Sequence, residues 1–387
     1  MERRAQKHLG VEPSLLGFGC MRFPTLEGGA IDEAQAMAML DRAYQSGVNY
    51  FDTAYFYHNG KSEEFVGRAL ARYPRESYYL TSKLPTTLVH SLEDAKRIYA
   101  EQRERLQKDY LDFFLLHNLN GTRWREMVDI GVVDWCLERQ AAGEFRHFGF
   151  SFHGSYEDFH EILTARTWDC CQIQLNYMDT EEQAGLRGYR LTEELGVPLI
   201  IMEPVKGGSL AVPPDDVMAV FNTLRPEASA SSWALRWAAS LPNVMTVLSG
   251  MSTMEQVEDN LATFNMFQPL NEEEQAAVDR ATALFREKVR NGCTACRYCM
   301  PCTVGVDIPG TFRLWNDWAM YQNKRRSKSG WRTWMMTSVP SCASPVGHVR
   351  RSVPRACPYG RTWPEPARSW RCCKHENRRS AGTAPAR

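Results

Sequence analysis

The chain has 387 residues, 43% of them hydrophobic and 24% charged, which suits a soluble globular protein with one large domain and a small appended module. Basic and acidic residues number 46 each, yet they are split unevenly: 15 against 2 from Lys324 onward, 31 against 44 before it. No run of about 18 apolar residues argues for a membrane span, and Met1-Glu2-Arg3-Arg4-Ala5 leads into polar residues rather than a secretion signal, so a cytoplasmic location is expected.

From about residue 15 to 285, short apolar runs alternate with amphipathic stretches. The strand-like runs are Leu15–Gly19, Tyr50–Ala54, Tyr78–Lys83, Asp112–Asn118, His147–His153, Cys170–Asn176, Pro198–Pro204 and Val244–Gly250. Helical patterns such as Asp32–Ser46, Leu92–Lys108 and Thr180–Leu195 lie between them. Eight β runs, each followed by a helix, predict an α/β fold of the (β/α)8 TIM-barrel class over residues 1–288. A doubly wound open sheet is the rival, but no Gly-x-Gly-x-x-Gly follows the first run.

Barrel active sites sit at the C-terminal ends of the strands. There the second run ends in Asp52-Thr53-Ala54-Tyr55-Phe56-Tyr57, the third in Thr81-Ser82-Lys83 and the fourth in His117-Asn118. Reducing a carbonyl by hydride transfer needs a proton donor for the developing alkoxide and a donor that polarises the oxygen. A phenol has a pKa near 10, a neighbouring ammonium lowers it, a carboxylate holds that ammonium, and an imidazole orients the substrate oxygen. Taken singly, a Tyr or His at a strand end more often packs or caps, and a lone Lys is a solvated rim charge. Together on three consecutive strand ends, the four residue types fit one task.

Phe51-Asp52-Thr53-Ala54, Tyr57 and then Gly60-Lys61-Ser62-Glu63 resemble the signature of the aldo-keto reductases, as does Gly17-Phe18-Gly19-Cys20-Met21-Arg22. The likeness spans roughly residues 10 to 285. It implies a nicotinamide-dependent oxidoreductase that reduces aldehydes or ketones reversibly, with Asp52, Tyr57, Lys83 and His117 as catalytic residues and Tyr55 as the alternative phenol. Gln174 and Asn176 resemble the family's carboxamide-binding positions, and Ser151 and His153 lie in the neighbouring place where relatives often have Ser-Asn. Gly250-Met251-Ser252-Thr253 precedes a helix carrying Gln256 and Asn260, whose first N–H groups would bind cofactor phosphate. Two departures follow. Met202 stands near where relatives place a nicotinamide-stacking aromatic, where it would pack on the ring or simply fill core. Gly250 and Gln256 stand where relatives clamp the 2′-phosphate with Lys and Arg. NADP(H) is the family default, and NAD(H) is the alternative.

Twelve cysteines in a chain with this much core argue for a metal site rather than a disulfide scaffold. Cys293, Cys296, Cys299 and Cys302 repeat Cys-x2-Cys with aliphatic residues beyond, which suits iron–sulfur ligation better than zinc. The segment 289–323 resembles the ferredoxin-like 4Fe–4S module of one aldo-keto reductase subgroup, which would imply a ferredoxin-like electron partner. In two-cluster ferredoxins the fourth Cys serves the other cluster, so Cys302 would reach towards a second one.

The remaining cysteines, Cys342, Cys357, Cys372 and Cys373, have unsuitable spacing, and residues 324–387 read as a disordered tail rich in Arg, Pro and Ser. A shifted reading frame would account for it. Joining the third base of each codon to the first two of the next permits Cys-x2-Cys-Gly-x-Cys-Glu-Glu-x-Cys-Pro starting at Cys342, a bacterial ferredoxin run. That disposes of the basic tail without nucleic-acid binding. Two rival functions stay open: a non-catalytic nicotinamide-binding regulatory subunit, and an electron-transfer protein in which the cluster carries the activity.

Overall fold

A computed structural model describes residues 1–293 and 307–321. It divides into two compact units, Met1–Leu284 and the remainder from Phe285 onward.

The first unit is a closed barrel of eight parallel strands, each hydrogen-bonded to its sequence neighbours, with β8 closing on β1. The strands are β1 Leu16–Gly19, β2 Tyr50–Asp52, β3 Tyr79–Pro85, β4 Leu111–Leu119, β5 Phe145–Phe152, β6 Cys170–Gln174, β7 Leu199–Met202 and β8 Val244–Ser249. Each falls within a few residues of its predicted run, because strands buried on both faces read as continuous apolar stretches. Around them run α1 Glu33–Gln45, α2 Ser62–Leu70, α3 Leu92–Leu106, α4 Gly121–Asp129, α5 Val132–Ala141 and α6 Tyr156–Thr164. They continue with α7 Gly185–Leu195, α8 Asp215–Asn222, α9 Ala230–Ala239, α10 Met254–Asn265 and α11 Glu272–Glu287. Side-chain oxygens of Asp32, Ser91, Asn120, Ser155, Ser229 and Thr253 cap the first turns of their helices, which fixes where each connection re-enters the outer ring.

Tyr50 and Thr246 crowd the barrel interior so closely that a Cβ on Gly17 would lie 2.9 Å from Thr246 Oγ1 and 2.7 Å from Leu248 Cδ2. Glycine is what lets β1 pass. The N-terminal end is covered by an antiparallel hairpin in which Arg3 pairs with Ser14 and Gln6 with Val11. Its Leu9 and Val11 pack on Tyr50, Phe113, Leu115, Ile200 and Met245, and Arg4 donates to the carbonyls of Leu241 and Val244, both at 2.7 Å. With that end sealed, the open rim is the C-terminal one.

One predicted helix starts late. Instead of Thr180, α7 begins at Gly185, because residues 176–183 form a hydrogen-bonded loop over the end of β6.

In the second unit, α12 Ile308–Tyr321 lies against the segment after α11. The backbone N–H groups of Arg290 and Asn291 donate to Asn316 Oδ1, both at 2.9 Å, and Asn316 Nδ2 returns a bond to the Asn291 carbonyl at 2.6 Å. Phe285 and Tyr321 pack with ring centres 5.2 Å apart. The tail from residue 324 lies outside the described residues.

Candidate active site

Asp52 is the last residue of β2, Lys83 lies in the C-terminal half of β3 and His117 in that of β4. In a parallel barrel this register brings them to one rim. Lys83 is fully buried, and its Nζ donates to Asp52 Oδ1 at 2.5 Å and to the Thr53 carbonyl at 2.9 Å. The same nitrogen stands 5.2 Å from the centre of the Tyr57 ring. Tyr57 and His117 face each other at 6.0 Å, their planes at 81°. The four side chains converge as the sequence predicts.

Local backbone places them. The pairing of β4 with β5 shifts register between Leu116 and Leu119, and Asn118 lies in the left-handed region at φ 61°. Bulges of this kind re-aim a side chain at a strand end, here His117. Tyr57 opens a turn in which His58 and Asn59 are both left-handed, at φ 51° and 55°, a strain of about 1–3 kcal/mol for each non-glycine residue that recurs at functional sites. His58 Nε2 accepts the N–H of Phe23 at 3.2 Å, which ties this turn to the loop after β1. Tyr55 goes elsewhere. Its hydroxyl donates to Glu101 on α3 at 2.6 Å, and Arg105 covers its ring, so the phenol brought to Lys83 is that of Tyr57.

Burial weighs against charge throughout this group. It opposes the Lys83 ammonium, but Asp52 and Tyr57 outweigh it and leave Lys83 above its ordinary pKa. Burial likewise raises the Asp52 carboxyl against the pull of Lys83. It raises the Tyr57 phenol more than Lys83 lowers it, so the net direction is upward, where the sequence suggested a lowered phenol. The low-dielectric surroundings account for the difference. His117 is pushed down to about 3 by burial first, then by the charge of Lys83 and by His153. It is therefore a neutral imidazole at physiological pH, and its Nδ1 is buried without a hydrogen-bond partner.

The residues expected to hold a cofactor line the rim from β5 to β8, many of them bonded to one another. Ser151 Oγ accepts the Asn118 N–H at 2.9 Å. His153 Nδ1 meets Gln183 Oε1 at 3.2 Å, Gln183 donates to Gln174 Oε1 at 3.0 Å, and Gln174 donates to Asp179 at 3.1 Å. Asp179 also pairs with Lys206 from the loop after β7. Asn176 is engaged on both sides: its Oδ1 takes the N–H groups of Met178 and Asp179, and its Nδ2 donates to Asp179 and to the Glu203 carbonyl. Met202, half-buried, ends β7 in register with Gln174. After β8, Ser252 N–H donates to Gln256 Oε1 at 2.7 Å, Ser252 Oγ to the Arg22 carbonyl at 2.7 Å, and Asn260 to Ser249 Oγ at 2.9 Å. The Arg22 stem lies so close over Gly250 that a Cβ there would be 2.7 Å from its Cγ.

Sequence reasoning left Asp179, Gln183, Lys206, Phe56 and Arg22 without roles. Phe56, 43% exposed and 6.2 Å from the His117 ring, gives the site an apolar wall; its place directly before Tyr57 was the available signal. Asp179 and Lys206 lie 27 residues apart, and no local pattern links them.

Of the cysteine run only Cys293 is described; it is partly exposed and its N–H donates to Asn291 Oδ1 at 2.9 Å. Cys296, Cys299 and Cys302 lie outside the described residues. Among the described residues no three His, Cys, Asp or Glu side chains gather as a metal site, and no helix is long and apolar enough to cross a membrane.

Known proteins share the family and the barrel. A model of the aldo/keto reductase family matches residues 15–283. The chain is 24% identical over 312 residues to the uncharacterized oxidoreductase YqkF of Bacillus subtilis, covering 73% of this chain and 97% of that protein. Among solved structures, the holo form of aldo-keto reductase AKR11C1 from Bacillus halodurans superposes with a TM-score of 0.62 at 25% identity, over 73% of this chain and 96% of that one. An aldo-keto reductase of Klebsiella pneumoniae in complex with NADPH shares the fold at 22% identity and a TM-score of 0.59, over 72% and 95%.

Proposed function

The chain belongs to the aldo/keto reductase family of oxidoreductases, and from that premise we propose that it reduces an aldehyde or ketone with NADPH or NADH, Tyr57 giving the proton. What carries this reading is Lys83, an ammonium buried in the barrel wall, held by Asp52 and Thr53 and set beside the Tyr57 ring.

A nicotinamide dinucleotide, when bound, would supply the hydride. As charge develops on the carbonyl oxygen, the Tyr57 phenol, kept protonated by its raised pKa, donates its proton. Lys83 stabilises the phenolate left behind, and Asp52 holds that ammonium charged and in place. His117, a neutral imidazole on the same rim, gives the same oxygen a hydrogen bond, the preorganised stabilisation that lowers such barriers most. Run backwards, the same groups accept the proton of an alcohol.

The residues present fit a nicotinamide dinucleotide. The Ser151 hydroxyl, with His153 and Gln174, suits its carboxamide, while Asn176 shapes the loop that presents Gln174. Met202 suits the ring face. The start of α10 with Ser252, Gln256 and Asn260 behind it, and Arg22 lying over Gly250, suit the phosphates. A screen of carbonyl compounds with NADPH and NADH, run on the wild type and on Tyr57→Phe, tests the reading. Reduction by the wild type that Tyr57→Phe lacks is expected; equal rates in both would overturn it.

For the second unit we propose a 4Fe–4S cluster on Cys293, Cys296 and Cys299, with Cys302 directed to a second cluster and a ferredoxin-like protein as electron partner. The thiolate spacing supports this. Division at 288 and 324, a frame-shifted tail and a cytoplasmic location complete the reading. Iron and sulfide analysis tests the cluster, and restoring the frame after residue 324 should raise iron towards about eight atoms per chain. Iron that stays at background in both forms would overturn it.

A further inference from the structure

The Gly60-Lys61-Ser62-Glu63 run has no part in the chemistry above, yet its last two residues are fully buried at the start of α2. Ser62 and Glu63 point to opposite sides of the Lys83 site. The Ser62 hydroxyl meets Thr53 Oγ1 at 2.9 Å and the Cys20 carbonyl at 3.1 Å. It thereby pins the residue whose carbonyl is the second acceptor of Lys83 Nζ. Glu63 works on the strand that carries Lys83. Its Oε1 accepts from Ser82 Oγ at 2.6 Å and from Gln102 Nε2 at 2.7 Å, and that same Gln102 nitrogen donates to the Lys83 carbonyl at 3.0 Å. Its Oε2 faces Arg105 at 3.4 Å, and Arg105 in turn lies 4.3 Å over the ring of Tyr55, two residues before Tyr57. The approach of α2 to α3 needs Gly67, where a Cβ would come within 2.5 Å of the Leu106 carbonyl. A carboxylate taken wholly out of water is costly unless its bonds are used; here they end on Ser82, the neighbour of Lys83, and on Gln102 and Arg105 of α3, which go on to the Lys83 carbonyl and the Tyr55 ring.

We propose that Ser62 and Glu63 are positioning residues that fix the Lys83 ammonium from both sides, so that proton donation by Tyr57 depends on a helix that touches neither substrate nor cofactor. The proposal rests on the Tyr57–Lys83 reading. Its consequence is specific: a displaced Lys83 no longer lowers the Tyr57 phenol, so the acid titrates higher.

The test compares Glu63→Gln and Ser82→Ala with the wild type and Tyr57→Phe, using the carbonyl substrate found in the screen. For Glu63→Gln, loss of a buried charge-assisted bond predicts a kcat about tenfold lower. The basic limb of its kcat–pH profile should move up by about half a unit or more, while the dissociation constant for NADPH, read by protein fluorescence, stays within about twofold. Ser82→Ala, which removes a single donor to Glu63, should shift the limb the same way by less. An unchanged profile in folded Glu63→Gln, whether or not activity falls, would overturn the proposal and leave Glu63 a packing group. Should Glu63→Gln not fold, the profile of Ser82→Ala decides in the same way. Activity surviving in Tyr57→Phe would instead bring down the reading beneath.

Discussion

The two halves of the open rim are built differently. From β2 to β4, buried charged groups point at one another and at a single place: Lys83 on Asp52, Thr53 and Tyr57, with His117 opposite. From β5 to β8, polar groups form a chain across the rim, His153 to Gln183 to Gln174 to Asp179 to Lys206, with three left-handed non-glycine residues, Gln183, Glu203 and Lys206, along it. In the first half, removing Asp52 or Lys83 strands its buried partner. In the second, the groups share their bonds, so removing one leaves alternatives. On the proposed function, the first half handles the proton and has to be fixed before substrate arrives, whereas the second would hold the cofactor and could re-pair as it binds.

The largest expected effect lies in the first half. Tyr57→Phe should lower carbonyl reduction by about 10²–10⁴-fold, the range of general acid catalysis, with nicotinamide affinity nearly unchanged by fluorescence titration. Retention of more than about a tenth of wild-type kcat would break the contrast at its strongest point. Lys83→Met should cost about 3–5 kcal/mol of stability, because it leaves the Asp52 carboxylate buried without its ammonium. Asp52→Asn on top of it should recover part of that loss in urea denaturation, and no recovery would mean the pair is not coupled.

His117 sharpens the comparison through pH. Its pKa lies well below the ordinary 6.5 in the fold and at the ordinary value when unfolded. Between about pH 3 and 6.5 the unfolded chain therefore binds the extra proton, and stability falls as pH drops through that window, by up to about 1.4 kcal/mol per unit. His117→Gln should flatten that slope in urea midpoints taken from pH 7 to 4; an unaltered slope would mean His117 is not the group responsible.

Smaller effects belong to the second half. Asp179→Asn removes the carboxylate that Lys206 pairs with and should weaken NADPH binding by about tenfold with kcat within about threefold; a loss mainly in kcat would erase the distinction between the halves. Discrimination between NADPH and NADH should stay below about a hundredfold, near 2.7 kcal/mol, since Gly250 and Gln256 offer no cation. Arg22→Ala should then reduce NADPH affinity modestly and NADH affinity less, as kinetics with both cofactors would show. A preference far above a hundredfold that survives Arg22→Ala would point to a different basic side chain.

The sequence by itself determined the barrel and the identities on one rim. Strands buried on both faces are largely apolar, so β1 to β8 stand out as runs, and Asp52, Lys83 and His117 stand out at the ends of three of them. Residue type and strand-end position suffice for such a site because parallel register converts them into proximity. The resemblance put Tyr57 ahead of Tyr55, and only the tertiary structure shows where the other phenol goes, to Glu101 and Arg105 of α3. It also reversed the direction in which the Tyr57 phenol is shifted, because the cost of burial is a property of the surrounding volume and not of neighbours in the chain. Asn176 could be read as a ligand group from its position, but its bonds to Met178, Asp179 and Glu203 exist only once the loop after β6 has closed. The Asp179–Lys206 pair and the placing of Ser62 and Glu63 around Lys83 belong to the same class. They join residues on different elements whose separation in sequence carries no period, so nothing short of the packed barrel brings them together.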